Sequence, residues 1–558
     1  MEVSRVRNGA SQQLPGTKGN VHWISAYQKE NDDTVSLQAE TPKEVRWRQR
    51  LLKKGAAFVR GVAAGRAGLP RRVSRAEKIA VGAMSTLAAA GAAVGAVLGG
   101  PVGFVAGAAL GTAASSLVAA ALLMPGWPIE LCKTIKEPKR PAPGTDVNLV
   151  PSTDTPLLGK GVQRRLDFLC KAETTDGNKV KLMLSGPWAF AERNHLFENA
   201  KKSINLQTYI FHDDETGWNT AKILADKARQ GVEVRVLVDG VGTSDTDSKI
   251  FHSLREAGAE VVEFCPPTQA VERLNTRWHQ KIVTVDDEAA IVGGMNVGSE
   301  YAYTGTGRVD VSKGTSSASA SWLSDADALI TGPAATKIGQ QFNENWRLAT
   351  LELLPDPAPQ AENGDGVTTR FISQLPYEKG ETTINQWYLE MLKNARDTAY
   401  IANAYFVPDG ELLDAMCDAA KRGVDVRVLT NSQESSDHAI PMVVQAARST
   451  YERLLEAGVR VYEAKSPGDV LRVLHKKTAV FDGMVSAVGS YNLDPRSAKL
   501  NSECMLEVQG QIHGSQMLAQ FARDLRRSRE VRKKDLYEGT VLDRLEQWFY
   551  GGPLKGLT

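Results

Sequence analysis

Between about residues 160 and 530, short apolar runs rich in β-branched side chains alternate with segments of helical period. Ile282-Val283-Thr284-Val285 and Ala289 to Val292 flank the polar triplet Asp286-Asp287-Glu288. Thr478 to Phe481 and Met484 to Val488 flank Asp482-Gly483. Apolar runs of this kind, interrupted by Asp and Gly, predict strands joined as hairpins. Trp218–Gln230 and Gly410–Arg422 follow a helical pattern instead. Alternation of the two patterns argues for a mixed α/β sheet with helices on its faces.

The pattern occurs twice. Gly231 to Leu237 is echoed by Gly423 to Leu429, Leu254 to Gly258 by Leu454 to Gly458, and Ile204 to Phe211 by Ala399 to Phe406. A repeat close to 200 residues long is a duplicated domain, not a solenoid unit. The reading is one half over 159–353 and a second over 369–535, with a Pro, Asp and Gly-rich linker at 354–368 and a tail at 536–558. Two such halves would meet about a pseudo-twofold axis, a favoured place for a ligand pocket. Tyr303–Ser321 interrupts the first half with Gly, Ser and Thr, either as a disordered insertion or as a mobile rim over the substrate entrance.

The amino end differs. Residues 1–40 are polar and without an apolar core of signal-peptide type. Residues 41–78 carry 12 Lys and Arg against 2 Glu, and 79–129 is a run of 51 residues with no charge and no His. A bilayer-spanning helix takes about 20 apolar residues, so this run has room for two, bending at Gly99-Gly100-Pro101. Gly91, Gly95, Gly99, Gly103, Gly107 and Gly111 recur at every fourth position, a spacing that lets helix backbones touch. The expectation is a membrane hairpin, against a buried helical hairpin in a soluble domain, followed by a linker at 130–158. Basic flanks (Arg71, Arg72, Arg75 and Lys78; Lys133, Lys136, Lys139 and Arg140) would keep both ends cytoplasmic and attract anionic lipid. The overall charge of +2 adds nothing to this, and five cysteines without pairing geometry suit a reducing compartment.

The chemistry lies in a phrase written twice: His279, Lys281, Asp286, Gly293-Gly294 and Asn296, then His475, Lys477, Asp482, Gly489-Ser490 and Asn492, with identical spacing. Residues two apart in a strand share a face, so each His projects with its Lys. Two half-sites of this kind suit phosphodiester chemistry. One neutral imidazole attacks phosphorus, a protonated one serves the leaving alcohol, and two ammonium groups meet the charge on phosphoryl oxygens. Asn296 and Asn492 could donate to those oxygens, and the small residues would let backbone approach them. Asp286 and Asp482 stand in the catalytic set by spacing, although Asp is also favoured where hairpins turn. No HExxH or CxxC pattern calls for a metal, and no cofactor is implied.

The twin HxK-x4-D-x6-G[SG]xN phrase resembles the phospholipase D superfamily. The surrounding stretches Gly293 to Tyr301, Asn403 to Pro408, Thr430 to Ser432 and Gly489 to Ser497, with Asn501 and Glu503, look like bacterial cardiolipin synthases. The resemblance implies duplicated phospholipase D-type halves and a phosphohistidine on His279, with His475 as general acid. It also implies acidic residues that orient the imidazoles: Glu503 after the second motif, Asp325 or Asp327 after the first. Gly294, Asn296, Ser490, Asn492, Asp327 and Glu503 are the substrate-binding expectations. The function implied is phosphatidyl transfer between membrane glycerophospholipids, anionic ones included, at a bacterial inner membrane. The alternatives are a hydrolytic phospholipase D secreted as an antibacterial effector, and a nuclease. No basic stripe with interleaved aromatics supports nucleic acid as a partner.

Overall fold

The protein is described from a computed structural model over residues 144–264, 276–303, 321–408, 410–435, 441–466 and 471–536. All of these belong to one compact unit. The segments expected at 1–40, 41–78 and 79–129 lie outside the described residues, as do most of the rim at 303–321 and of the tail at 536–558. Among the described residues no helix is long and apolar enough to cross a membrane.

The first half contributes β1 (Thr175–Met183), β2 (Ser203–Thr208), β3 (Glu233–Asp239), β4 (Glu260–Phe264), β5 (Ile282–Val285), β6 (Ala289–Gly293), β7 (Ser321–Ser324) and β8 (Asp327–Thr331). The second contributes β9 (Val367–Gln374), β10 (Thr398–Asn403), β11 (Asp425–Asn431), β12 (Arg460–Ala464), β13 (Leu471–Leu474), β14 (Lys477–Phe481), β15 (Val485–Gly489), β16 (Glu503–Gln509) and β17 (Ser528–Glu530). Fifteen of them form one mixed sheet in the order β17-β12-β11-β10-β14-β15-β16-β9-β1-β8-β6-β5-β2-β3-β4. Read outward from the β9–β1 junction, both sides follow the same topology. The pair at the junction is antiparallel, with a register shift between Thr175 and Asn178. β9 begins at Val367, just inside the stretch read from sequence as a linker.

β2, β3 and β4 run parallel, as do β10, β11 and β12. Parallel neighbours need a crossover, and helices Glu215–Arg229, Lys249–Glu256, Gly410–Lys421 and Pro441–Ala457 supply four of them. The strands carrying the repeated phrase are the most deeply placed. Every residue of β5, β6, β14 and β15 is buried, the burial that near-continuous apolar runs anticipate. One apolar cluster belongs to each half. A third is shared, joining Val292, Ile330, Phe342 and Trp346 of the first half to Tyr400, Val488, Leu506 and Phe521 of the second. That shared core fixes the two halves against each other.

Asp286 and Asp482, placed in the catalytic set by spacing, sit at the tips of hairpins. Asp286 and Asp287 have φ of 56° and 62°, and Asp482 and Gly483 have φ of 51° and 62°. Two successive left-handed residues make the hairpin turn that matches strand twist. The Asp286 carboxylate accepts the backbone N–H groups of Lys201, Lys202 and Ser203 at 2.6–3.0 Å. Asp482 accepts those of Arg396, Asp397 and Thr398, with the Thr155 hydroxyl added. Each Asp therefore fastens a hairpin tip to the start of the neighbouring antiparallel strand, β2 or β10. Asp482→Ala is expected to cost about 3 kcal/mol of stability by urea denaturation, since a buried carboxylate's bonds are lost together. The fraction that remains folded should keep its turnover; an equally stable but inactive variant would keep Asp482 in the catalytic set.

Candidate active site

His279 follows a short bridge in which Trp278 pairs with Ser502. The Ser502 N–H donates to the Arg277 carbonyl at 2.9 Å, and the His279 N–H donates to the Ser502 carbonyl at 3.0 Å. The next residue after Ser502 is Glu503, whose carboxylate oxygens lie 3.0 and 3.1 Å from His279 Nδ1. The second half repeats the construction with its own segments. β13 pairs in parallel with β7, Leu474 opposite Ser324. The His475 N–H donates to the Ser324 carbonyl at 2.8 Å, and Asp325 Oδ2 lies 2.6 Å from His475 Nδ1.

Each histidine is thus held by the acid of the other half. A carboxylate accepts, so Nδ1 carries the hydrogen and Nε2 is left with its lone pair toward the shared site. Glu503, which follows the second motif, serves the first motif's histidine, and Asp325, which follows the first, serves the second's. Of the two candidates Asp325 and Asp327, the one beside a histidine is Asp325. Asp327, expected to bind substrate, is buried against Arg193 at 2.9 Å and accepts the Met295 N–H at 3.1 Å. Residues two apart in a strand share a face, and sequence alone could not separate them.

The small residues of the phrase stand behind the acids, not against a ligand. A Cβ on Gly294 would come within 2.4 Å of Asp325 Oδ1, so glycine makes room for that carboxylate. At the matching position Ser490 donates its hydroxyl to Glu503, and Ser497 donates a second at 2.7 Å. Asn296 is fully engaged within the protein. Its oxygen accepts from Ile210 N and Thr208 Oγ1, and its amide donates to the Tyr301 hydroxyl at 2.7 Å. Gly294, Ser490 and Asn296, expected to bind substrate, thus make contacts to the two acids or to neighbouring loops. Asn492 is buried, and its Oδ1 has no partner among the described residues.

Lys281 Nζ donates to the His279 carbonyl at 2.6 Å, and Lys477 Nζ to the His475 carbonyl at 2.5 Å, lying 3.0 Å from both His475 ring nitrogens. Gln280, between His279 and Lys281, donates to Glu503 O and Ser373 Oγ of the second half. Sequence reading passed over Gln280, Arg193 and Tyr209. Gln280 lies within the phrase and Tyr209 next to a strand end, whereas Arg193, in the middle of the helix Gly186–Asn199, carries no sequence signal.

Burial dominates the electrostatics. It holds His279 well below the ordinary imidazole value, with Lys281 and Lys477 adding to the effect. His475 is lowered by burial and Lys477, opposed by Asp325. Lys281 is brought down to about 7 by burial, and burial raises Glu503 to about 7. Two imidazoles able to stay neutral, beside two lysines, form a cradle for one phosphodiester.

The family described as "Cardiolipin synthase, PLD-like domain" matches residues 194–304 and 388–525, one block around each copy of the phrase. Cardiolipin synthase A of Pseudomonas syringae pv. syringae is 33% identical over 371 residues, covering 66% of this chain and 73% of that protein. Cardiolipin synthase of Geobacillus kaustophilus is 33% identical over 359 residues, covering 62% and 66%. The chain belongs to the phospholipase D superfamily. Within it, the chain is an enzyme close to the cardiolipin synthases. Its fold is shared with phosphatidylserine synthase of Haemophilus influenzae, at a TM-score of 0.53 and 15% identity over 71% of this chain and 99% of that one.

In this phospholipase D-type site the two acids have a single neighbour to orient. Glu503→Gln and Asp325→Asn are each expected to lower kcat by about 10²–10⁴-fold while the thermal midpoint moves little, because the amide can present the wrong partner to Nδ1. Full activity in either variant would remove that acid from the mechanism.

Proposed function

We propose that this enzyme transfers a phosphatidyl group between alcohols through a phosphohistidine on His279, in the manner of a cardiolipin synthase. The observation that carries the reading is the crossed pairing of two buried histidines with acids from the opposite halves, beside two lysines. Nε2 of His279 attacks the phosphorus of a glycerophospholipid. The bond from phosphorus to the headgroup oxygen breaks, and His475 gives that oxygen a proton. A second alcohol then enters, loses its proton to His475 and attacks phosphorus, and the P–N electron pair returns to His279. Lys281 and Lys477 face the equatorial oxygens as their charge grows.

The assignment of His279 as nucleophile follows from its environment. It is the imidazole held further toward the neutral form, while the 2.6 Å contact to Asp325 favours a proton on His475. Phosphatidyl donors reside in bilayers, so we assign residues 79–129 as the membrane attachment, with the basic segment 41–78 meeting anionic headgroups.

Full-length protein incubated with phosphatidylglycerol should release glycerol and form cardiolipin. Phosphatidic acid as the sole product would establish hydrolysis instead. His279→Ala and His475→Ala should each lose more than about 10³-fold in turnover, because neither ring can take the other's protonation state. Near-normal rates in either would end the two-histidine mechanism. The pH profile of kcat/KM is expected to fall above about pH 7, where Lys281 loses its charge. Its acid limb should begin near pH 7, where Glu503 takes a proton, and steepen at lower pH as His279 does.

A further inference from the structure

We infer that Tyr209 and Tyr405 select the acceptor, by covering the reacting histidines and lysines against water while offering an aromatic surface to the carbon skeleton of an alcohol. This rests on the phosphohistidine reading above and extends it to the choice between transfer and hydrolysis.

The Tyr209 ring meets His279 edge-on, with centroids 5.2 Å apart at 64°, and Lys281 Nζ sits 5.4 Å from the same ring's centre. Tyr405 repeats both contacts in the second half. Its centroid is 6.4 Å from that of His475 at 87°, and Lys477 Nζ lies 5.9 Å from it. Both histidines and both lysines are buried, at most 8% exposed, whereas the two tyrosines are only half-buried. The rings therefore stand between the reacting groups and solvent.

The pair is not a simple residue of duplication. β2 ends at Thr208 and β10 at Asn403, so Tyr209 is the first residue past its strand and Tyr405 the second past its own. The strictly equivalent positions hold Ala404 and Ile210. Each half reaches the same contact by a different register, which points to a requirement of the site and not to common descent of the position.

The chemistry of selection is ordinary. A phosphoryl group on a histidine can be attacked by any hydroxyl that reaches it in line. Water gains nothing from an aromatic wall, whereas the CH₂ groups of a glycerol-type acceptor pack against it. The two sides are unequal. His475 also meets the buried Tyr301 ring at 5.4 Å, while Tyr209 is the one ring against His279 among the described residues. Loss of Tyr209 should accordingly matter more.

The test uses the full chain with phosphatidylglycerol in detergent micelles and a series of added deuterated glycerol concentrations, scoring by mass the ratio of phosphatidic acid to headgroup-labelled phosphatidylglycerol plus cardiolipin. Tyr209→Leu is expected to raise that ratio on the order of ten-fold, in the range that one or two methylene contacts supply. Tyr405→Leu should raise it less, and Tyr209→Phe, which keeps the ring, should match the parent. His279-dependent turnover with an unchanged ratio in Tyr209→Leu overturns the inference. So does a parent that makes phosphatidic acid alone at every glycerol concentration. Should Tyr209→Leu fail to fold, Tyr209→Trp enlarges the cover and is expected to shift the ratio toward transfer; no shift again overturns the inference. A parent without any turnover of phospholipid defeats the functional reading itself.

Discussion

Two carboxylate–imidazole contacts crossing the pseudo-twofold axis, Glu503 to His279 and Asp325 to His475, constrain everything around them. Neither half owns a complete catalytic unit, because each histidine lacks its orienting acid until the other half is in place. The backbone is organised around this exchange. The residue before each acid accepts the N–H of the histidine it serves, Ser502 for His279 and Ser324 for His475. One short stretch of extended chain thus fixes both the position of the ring and the direction of its Nδ1. Burying two histidines, two lysines and two acids in one place is costly unless each finds a partner. The shared apolar cluster and the continuous sheet hold the halves in that alignment.

Duplication supplied the plan, and departures from symmetry supply the distinction between the halves. The hairpin-turn aspartates are used alike, each collecting backbone N–H groups from the start of the neighbouring antiparallel strand. The next layer diverges. Gly294 leaves space for Asp325, whereas Ser490 donates directly to Glu503. Two residues past the acids, Asp327 is paired with Arg193, and its counterpart Met505 is plain core. The proposed reaction, in which one imidazole attacks and the other transfers a proton, calls for two unlike environments. These neighbours are where that difference is built.

Several residues that the repeated phrase nominates make contacts within the framework. Asp286 and Asp482 shape turns, Asn296 ties two loops to Tyr301, and Gly293-Gly294 admits the acids. A motif's spacing records that its residues are jointly required, and a tightly packed catalytic strand requires its turn and its glycines as much as its histidine. Tyr209, which touches the reacting groups yet lies outside the phrase, carries no such mark, and Tyr405 carries only the wider likeness of Asn403 to Pro408.

The sequence by itself determined the reaction class, the duplication and the mixed α/β architecture. Those follow from local information: residue types at fixed short spacing, strand and turn propensities, and the similarity of one half to the other. The tertiary structure alone decided which acid serves which histidine, that Asp325 and not Asp327 does so, and that Asn296 faces inward. The acid–histidine pairings join residues 150 or more apart, and the Asn296 oxygen is held by residues more than 80 positions away. No local pattern encodes such pairings, because they arise only when distant strands are brought together in one sheet by a common core.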